Sequence, residues 1–305
     1  MSETAALKHV FLLNPVAGTK KFQRDLPDQI AAAAAELGFD YELRVTTSVG
    51  DAKRFAAAYD KDTAARFYAI GGDGTLNETV NGILERPGVS ELALIPCGTG
   101  DDFARFFPNR ADFRDIAKTA AAKAVPIDAI ATDLGLCGVN MVNIGVDAQT
   151  AADVHRFSEY VPGTAAYVLS LLNRVLLHRL GIAMEISIDD EPPLTGDFLL
   201  VSFANGSCCG GGFRAAPKAR IDDGLLEICA VRPLSKVQFA KMVGGYKAGT
   251  HLDDPRYQKY ITYRRGRKVS VRTETPTQVC IDGEIITTDR VTAEILPHRL
   301  RFVIP

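Results

Sequence analysis

The amino-terminal half of the chain alternates short apolar runs with longer segments of helical periodicity. Apolar runs at residues 9–13, 41–45, 67–70 and 92–95 predict four β-strands. Segments 26–37 and 51–59 predict helices between them, with Gly38 ending the first, and a further helical pattern runs from Val80 through Leu84. This alternation predicts a parallel sheet with right-handed crossovers. The turns that follow the strands should therefore share one edge, where ligands bind in such sheets.

After residue 127 the pattern changes to short apolar or alternating runs separated by Gly, Pro and Asp. These runs lie at residues 134–146, 183–188, 198–203, 224–231, 268–272 and 278–281. They predict a β-rich second domain, a sandwich. We therefore predict an α/β domain over residues 1–127 and a β-sandwich domain over residues 128–298. A last strand, residues 299–305, is expected to return to the first domain.

A single helical segment, residues 164–180, is predicted to interrupt the second domain. Its apolar side contains Leu169, Leu172, Val175, Leu176 and Leu180, and its polar side contains Ser170, Asn173, Arg174 and His178. An amphipathic helix in a globular domain usually buries such a stripe, so core packing is the simpler interpretation. Contact with anionic lipid is the alternative, because Arg174, His178 and Arg179 lie at or beside the polar boundary.

The composition is that of an ordinary globular protein. Of 305 residues, 47% are hydrophobic and 24% are charged, and the formal charge of -2 gives no general attraction to nucleic acid. The six cysteines form no C-x-x-C pair, and the amino terminus does not read as a signal peptide, which predicts a reducing, cytoplasmic location. The longest uncharged runs are too short or too glycine-rich to span a bilayer. Any membrane contact would be peripheral, at the inner surface.

The chemistry is concentrated in the glycine-rich stretch GGDGTLNE, residues 71–78, between a predicted strand and a predicted helix. Three glycines permit positive φ and close approach to backbone amides, and the start of a helix favours an anion such as phosphate. An Asp between glycines would repel phosphate unless a cation lies between them, which points to a metal-bound nucleotide. The alternative is structural, with Thr75 and Glu78 forming a capping box.

Other turns at the same predicted edge carry further candidate ligands. PCGTGDDFAR at residues 96–105 is a second glycine-rich strand-to-helix turn, but it lacks the third glycine of G-x-G-x-x-G. No G-x-x-x-x-G-K-[ST] phosphate loop occurs in the chain. The hydroxyls of residues 46–48 either cap the helix that follows or contact a nucleotide.

Five motifs in order resemble one known family. They are NPVAG at residues 14–18, GGDGTLNE at 71–78, PCGTGDDFA at 96–104, DGLL at 223–226 and DGE at 282–284. Together they resemble the diacylglycerol kinase catalytic-domain family, and more closely its soluble bacterial lipid kinases. The resemblance covers nearly the whole chain. The GGDG motif alone would also fit NAD kinases and, more distantly, phosphofructokinases.

The resemblance implies an N-terminal α/β nucleotide-binding domain, a C-terminal β-sandwich domain, and an active site for ATP and Mg²⁺ in the cleft between them. It places around the nucleotide the residues Asn14, Thr46, Gly72, Asp73, Gly74, Thr75, Leu76, Asn77, Glu78 and Thr99. Asp73 and Asp102 are implied to be catalytic acids linked to metal or substrate, and Glu284 to be the general base. A second, structural Mg²⁺ is implied at the backbone carbonyls of Arg220 and Leu225 and the carboxylate of Asp223.

One position departs from the family pattern. Asp101 precedes Asp102 where the family usually has Asn, and the additional carboxylate either alters metal or nucleotide preference or faces solvent. We expect it to face solvent.

The function expected from the resemblance is an ATP-dependent lipid kinase that phosphorylates the hydroxyl of a diacylglycerol-like lipid alcohol, with transient contact to a membrane surface. An NAD-kinase-like enzyme with a soluble substrate and a catalytically silent nucleotide sensor are the alternatives. A homodimer is left open.

Overall fold

The computed structural model describes residues 7–161, 164–178 and 180–305. The chain divides into two compact units, one formed by residues up to Ile127 together with His298–Pro305, and the other by Asp128–Pro297.

The first unit is an α/β fold built on parallel strands. Its strands are β1 (Lys8–Leu13), β2 (Tyr41–Val45), β3 (Ala65–Gly71) and β4 (Ser90–Pro96), and its helices are α1 (Lys20–Leu37), α2 (Asp51–Ala57), α3 (Asp73–Glu85) and α4 (Ile116–Ala121). The strand order is β2-β1-β3-β4, with every pair parallel. The end of the chain adds a further parallel neighbour, because Phe302 pairs with Leu92 of β4.

The sequence explains why this sheet forms. All seven residues of β3 are buried, as expected for a parallel strand covered on both faces. Phe11, Tyr68 and Ile70 of the sheet pack with Leu26 and Ile30 of α1. All four predicted strands are confirmed, since burial on both faces leaves a nearly continuous apolar signal.

The predicted helix boundaries were less accurate. Helix α1 begins at Lys20, six residues before the predicted start, because the Thr19 hydroxyl accepts a hydrogen bond from the amide of Phe22. Gly38 ends it, as predicted, at a φ of 72°. The turn after β4 leads only into short 3₁₀ segments, Ala104–Phe106 and Arg110–Arg114, because Pro108 stops a longer helix.

The second unit is a β-sandwich with added helices. Its strands are β5 (Ala124–Thr132), which enters from the first unit, β6 (Cys137–Gly138), β7 (Met141–Gly145), β8 (Ile182–Ile188), β9 (Leu194–Phe198), β10 (Leu200–Ala204), β11 (Leu226–Val231), β12 (Ile261–Gly266), β13 (Lys268–Ile281) and β14 (Glu284–Val303). Its helices are α5 (Val146–Ser158), α6 (Thr164–Leu177) and α7 (Lys236–Ala248).

The long hairpin of β13 and β14 joins the two layers of the sandwich. One half of β13 pairs with β8, which carries β9, and the other half pairs with β7, followed in order by β10, β11 and β12. The register of the hairpin shifts between Arg272 and Thr277, where Pro276 removes a ladder hydrogen bond. This shift separates the predicted runs 268–272 and 278–281, which are two parts of one strand.

Among the described helices of this unit, the sequence predicts α6 but not α5 or α7. Helix α7 carries a complete capping box between Ser235 and Gln238, a signal that could have been read. Helix α5 follows directly on β7 at Gly145, whose φ of 103° permits the sharp change of direction. No described helix is both long and apolar enough to cross a bilayer.

Helix α6 is where predicted, but its orientation differs from the expectation. Leu171 and Val175 pack into the core on the outer face of the sheet. Leu172 and Leu176, predicted to be buried, are 49% and 60% exposed, whereas Ser170 is buried. The core-packing interpretation is therefore wrong for most of the stripe. Arg179 lies outside the described residues.

Candidate active site

Four turns lie side by side at the carboxyl edge of the first unit's sheet. Hydrogen bonds between backbone atoms tie each turn to its neighbour: the amide of Thr46 donates to Leu13 O (2.9 Å), that of Asn14 to Ile70 O (2.9 Å), and that of Cys97 to Gly71 O (2.9 Å). The predicted assembly of glycine turns at one edge is therefore present in the structure.

Two of these turns require glycine, because neighbouring atoms lie too close to leave room for a side chain. A Cβ on Gly98 would lie 2.5 Å from the Cα of Gly72, and one on Gly71 would lie 2.2 Å from the hydroxyl oxygen of Thr75. Helix α3 then begins at Asp73, and among the described residues no side chain caps it at Gly72. Its first-turn amides and positive dipole end therefore lie at the carboxyl edge, which suits an anion.

Asn14 links the first turn to the glycine loop. Its side-chain amide donates to the hydroxyl of Thr75 (3.2 Å), and its side-chain carbonyl accepts from the amide of Val16 (3.1 Å). Thr75, Leu76 and Asn77 are almost fully buried. These residues thus support the loop through its backbone, while Gly72, Asp73 and Gly74 remain partly exposed.

Glu78 caps a helix, but a different one from the helix that the capping box predicts. Its two carboxylate oxygens accept from the amides of Gly50 (2.8 Å) and Ala52 (3.1 Å) at the start of α2. The interpretation of Thr75 and Glu78 as a capping box on α3 is therefore wrong. Glu78 holds α2 against α3.

The residues that precede α2 also donate hydrogen bonds to a carboxylate, that of Asp51. The Thr47 hydroxyl and the amides of Thr47 and Ser48 donate to Asp51, at 2.6 to 2.8 Å, and these hydrogen bonds lower the pKa of Asp51 to about 2. Thr46 is buried, and its hydroxyl donates to Leu13 O (3.3 Å). Thr99, at the tip of the next turn, is exposed.

Asp73 and Asp102 come together at Gly100. One carboxylate oxygen of Asp73 accepts from the amides of Asp102 (2.8 Å) and Phe103 (3.4 Å). The other oxygen of Asp73 and one oxygen of Asp102 lie 2.9 and 3.7 Å from the point that a Cβ on Gly100 would occupy. Two acids that were separate in sequence therefore border one small space, an arrangement that suits a divalent cation with oxygen ligands.

Asp101 does not face solvent, so that expectation is wrong. Its side chain is almost completely buried and accepts from the Gly98 amide (2.8 Å) and from Arg110 (3.2 Å), with Arg114 at 3.7 Å. Burial raises the pKa of Asp101, although these partners oppose the shift. Asp101 therefore shapes the turn around Gly98.

We expect Asp101→Asn to change the free energy of unfolding by less than about 1 kcal/mol, because Asn still accepts from Gly98 and tolerates the φ of 49°. Asp101→Ala should cost about 2 kcal/mol, since it leaves the Gly98 amide unpaired and strains the backbone. Urea unfolding of both variants measures the difference. Equal losses in the two would mean that the acceptor at Gly98 is unimportant.

Glu284 of the second unit lies at the tip of the β13–β14 hairpin. Asp282 fixes this tip: it is buried, and its carboxylate accepts from the amides of Val139 (2.6 Å), Asn140 (3.1 Å) and Met141 (2.8 Å). Glu284 is exposed and begins β14, paired with Ile281. The sequence motif identified the turn but did not reveal that Asp282 anchors it.

The resemblance implies a second metal site at Arg220, Asp223 and Leu225. In the structure, the Asp223 carboxylate has protein partners. One Asp223 oxygen pairs with the guanidinium of Arg265, and the other accepts from the Leu225 amide (3.2 Å). Arg265 also pairs with the buried Glu227 (2.9 Å). Among the described residues, no group of three or more Asp, Glu, His or Cys side chains is arranged to hold a metal ion. The guanidinium of Arg265 already neutralises the Asp223 carboxylate, so we expect this carboxylate to be a weak metal ligand.

We expect added Mg²⁺, without nucleotide, to leave the Tm of the wild type unchanged. Arg265→Gln should lower stability by about 2 kcal/mol, because it unpairs the buried Glu227, and should make the Tm rise with Mg²⁺. Arg264→Gln is the matched control, since the ion-pair partner of Arg264 within the described part of the chain is the exposed Glu191, at 3.7 Å. A Mg²⁺-dependent Tm that persists in Asp73→Asn would instead support a metal at Asp223, because that variant lacks the pair of acids beside Gly100.

Comparison with known proteins identifies the two parts of the chain. The diacylglycerol kinase catalytic domain matches residues 8–132, and the YegS C-terminal NAD kinase beta sandwich-like domain matches residues 140–304. Together they account for both units.

Similar full-length proteins agree with this match. A diacylglycerol kinase of Staphylococcus saprophyticus is 28% identical, covering 90% of this chain and 87% of its own, and a probable lipid kinase YegS-like of Shewanella frigidimarina is 28% identical, covering 98% and 94%. A crystal structure of a candidate diacylglycerol kinase from Bacillus anthracis has a TM-score of 0.79 at 24% identity and covers 99% of both chains. An NAD kinase from Archaeoglobus fulgidus, in complex with ATP, has a TM-score of 0.50 at 12% identity, covering 98% and 93%.

The last two likenesses concern the fold, and they confirm an α/β unit joined to a β-sandwich. The five motifs that carry the predicted resemblance fall within the matched ranges, three at the sheet edge of the first unit, one leading into β11 and one at the β13–β14 hairpin tip. The chain belongs to the diacylglycerol kinase catalytic-domain family, in the group whose second domain is the YegS-type sandwich.

Proposed function

We propose that the protein transfers the γ-phosphate of ATP to the hydroxyl of a lipid alcohol such as diacylglycerol, with Mg²⁺. The observation that carries this proposal is the carboxyl edge of the first unit, where glycine turns, a helix start and two carboxylates are gathered. The names of two relatives, diacylglycerol kinase and probable lipid kinase, support a lipid acceptor.

The nucleotide phosphates are assigned to the glycine loop. Gly72 and Gly74 leave the backbone accessible, and the first turn of α3 directs its amides to this edge. Asn14 holds Thr75 and thereby fixes the loop. Thr46 and Thr99 lie on the neighbouring turns, where the exposed Thr99 is free to contact a ligand.

The metal ion is assigned to Asp73 and Asp102. When bound, Mg²⁺ neutralises charge on the transferred phosphate, which is the main catalytic requirement of phosphoryl transfer. Asp73 is held for this role by the amides of Asp102 and Phe103, which fix one of its oxygens and leave the other directed at the space beside Gly100.

Glu284 is assigned as the general base. A lipid hydroxyl is a weak nucleophile, so a carboxylate that accepts its proton assists the reaction as the oxygen attacks the γ-phosphorus and the bond from that phosphorus to ADP breaks. Glu284 is exposed on a hairpin tip that Asp282 makes rigid, and it therefore combines access with a fixed backbone position. The proton leaves the carboxylate to solvent after transfer.

One assay separates the proposal from its alternatives. With γ-labelled ATP, Mg²⁺, extracted lipids and NAD together, the proposal expects label in a lipid product. Label in NADP alone would instead show an NAD kinase, the enzyme of the Archaeoglobus relative that shares the fold. Label in neither product, with ATP binding retained, would show a nucleotide sensor. Omitting Mg²⁺ should abolish the lipid product.

A further inference from the structure

Three arginines follow the glycine-rich turn after β4, and two of them are partners of Asp101. The guanidinium of Arg110 donates to the Asp101 carboxylate (3.2 Å). Arg114 lies 3.7 Å from the same carboxylate and donates through Nε to Pro96 O (2.8 Å). These two positive charges therefore balance a buried acid and support the turn. The third arginine, Arg105, has a different set of contacts.

Arg105 is held at the turn by one nitrogen of its side chain. Its Nε donates to Gly100 O (2.8 Å), and the side chain is 28% exposed. Neither of its two terminal nitrogens donates a hydrogen bond to any described residue. A guanidinium has five N–H donors in one plane, so the bond at Nε orients the other four. The fork formed by the terminal nitrogens is therefore oriented and available to a ligand.

The charge of Arg105 lies beside the space assigned to the metal ion. Its Nε is 3.6 Å from one carboxylate oxygen of Asp102. The other oxygen of Asp102 and one of Asp73 lie 3.7 and 2.9 Å from the point that a Cβ on Gly100 would occupy. A guanidinium and two carboxylates therefore meet at one glycine, which has no side chain to cover them.

The charges at this glycine favour a strongly anionic ligand once a divalent cation is bound. Asp73 and Asp102 carry two negative charges, which one Mg²⁺ balances. Arg105 then leaves a positive charge in excess, near the positive dipole end of α3, which begins at Asp73. A guanidinium matches two oxygens of a phosphoryl group and stabilises the charge that they carry during transfer.

We propose that Arg105 binds the γ-phosphate of the nucleotide and is a catalytic residue of the phosphoryl transfer. This inference rests on the proposed function, which supplies the nucleotide. In the transfer, the lipid oxygen bonds to the γ-phosphorus, the bond from that phosphorus to ADP breaks with its electron pair going to ADP, and the hydroxyl proton goes to Glu284. The terminal nitrogens of Arg105 donate to non-bridging oxygens of the phosphoryl group and stabilise their negative charge.

Titration calorimetry tests the proposal without any acceptor substrate. The two ligands are ADP and a non-hydrolysable ATP analogue with an imido group between the β- and γ-phosphorus atoms, both with Mg²⁺. Arg105→Gln should weaken binding of the analogue by at least about tenfold and that of ADP by less than about twofold, because only the analogue has a γ-phosphate. Gln places an N–H donor where Arg has Nε, so the bond to Gly100 O and the Tm should be retained.

Arg114→Gln is the matched control, since Gln likewise keeps the donor that Arg114 directs at Pro96 O. Arg114 supports the turn and has no assigned contact with phosphate. Its replacement should therefore change the affinities for ADP and the analogue by the same factor. If Arg105→Gln also changes both affinities by one factor, Arg105 only supports the turn, and the proposal is overturned.

Reaction rates give a second measure of the same contact. Arg105→Gln should reduce kcat by about 10²-fold. Arg105→Lys, which keeps the charge, should lose less, but an ammonium cannot donate to Gly100 O and to two phosphate oxygens in the geometry of a guanidinium. If Arg105→Gln does not fold, the affinities are measured in Arg105→Lys instead. An unchanged preference for the analogue over ADP in that variant would overturn the proposal.

The binding data also separate this inference from the proposed function. If Arg105→Gln binds the analogue as tightly as the wild type does, the role of Arg105 is rejected, while labelled lipid from the wild type would still support a lipid kinase. If the wild type labels NAD and not lipid, but Arg105→Gln selectively loses the analogue, the lipid acceptor is rejected and the phosphate contact of Arg105 is retained.

Discussion

Asp73→Asn is expected to reduce phosphoryl transfer by at least about 10²-fold while leaving the protein folded. Asn keeps the oxygen that accepts from the amides of Asp102 and Phe103, so the turn at residues 98–103 should retain its shape. It removes the negative charge assigned to Mg²⁺. The expected loss therefore corresponds to more than about 2.7 kcal/mol of transition-state stabilisation.

Asp73→Ala gives a different expectation. The position of Asp73 on a glycine turn predicts little loss of stability, but the structure shows two amides that Ala would leave without this acceptor. Asp73→Ala should thus lower the Tm as well as the activity, whereas Asp73→Asn should lower activity alone. Asp62→Asn, an exposed acid in the loop before β3, is the matched control and should leave both unchanged.

The measurements are initial rates with γ-labelled ATP and dispersed diacylglycerol, Mg²⁺ titrations of those rates, and thermal melts. If Asp73→Asn retains near wild-type turnover at all Mg²⁺ concentrations, the assignment of this carboxylate to the metal fails. If activity returns only at high Mg²⁺, the carboxylate contributes to metal affinity, as proposed.

The parallel sheet could be predicted because its strands are buried on both faces. Continuous apolar runs such as 67–70, each followed by a glycine turn, locate both the strands and their carboxyl edge. The close contact between the turns was also foreseeable in outline, since parallel strands place those ends together. The atomic partners were not, because they join residues that are far apart in sequence.

Glu78 and Asp101 show why the partners could not be predicted. Glu78 lies three residues after Thr75, which is the spacing of a local capping box, yet its partners belong to another helix, 26 and 28 residues away. Asp101 is a charged residue on a loop, a position that usually faces water, but two arginines and a backbone amide make its burial tolerable. In both cases tertiary contacts determined the position of the side chain, and the local sequence pattern did not.

Helix α6 shows the corresponding limit for amphipathic patterns. The sequence separates an apolar side from a polar side correctly, but it does not show which side faces the protein. The side that faces the protein depends on α5, a helix that the sequence pattern did not reveal. The backbone of α5 accepts a hydrogen bond from the Ser170 hydroxyl. A pattern with two chemically distinct faces has two possible orientations, and only the neighbouring element selects between them.

Glu284→Gln is expected to lower kcat by about 10²- to 10⁴-fold and to leave nucleotide binding intact. Gln has nearly the same shape and lies on a hairpin tip that Asp282 fixes independently, so the backbone should not move. An amide cannot accept the proton of the lipid hydroxyl as a carboxylate does. The effect should therefore appear in kcat, with little change in the Kd for ATP.

A pH profile distinguishes lost proton transfer from a general disturbance of the site. In the wild type kcat should fall on the acid side as the base becomes protonated, and in Glu284→Gln this acid limb should disappear from the low residual rate. Glu294→Gln, an exposed acid farther along the same strand β14, is the matched control and should keep both kcat and the profile. An unchanged kcat in Glu284→Gln would show that another group accepts the proton.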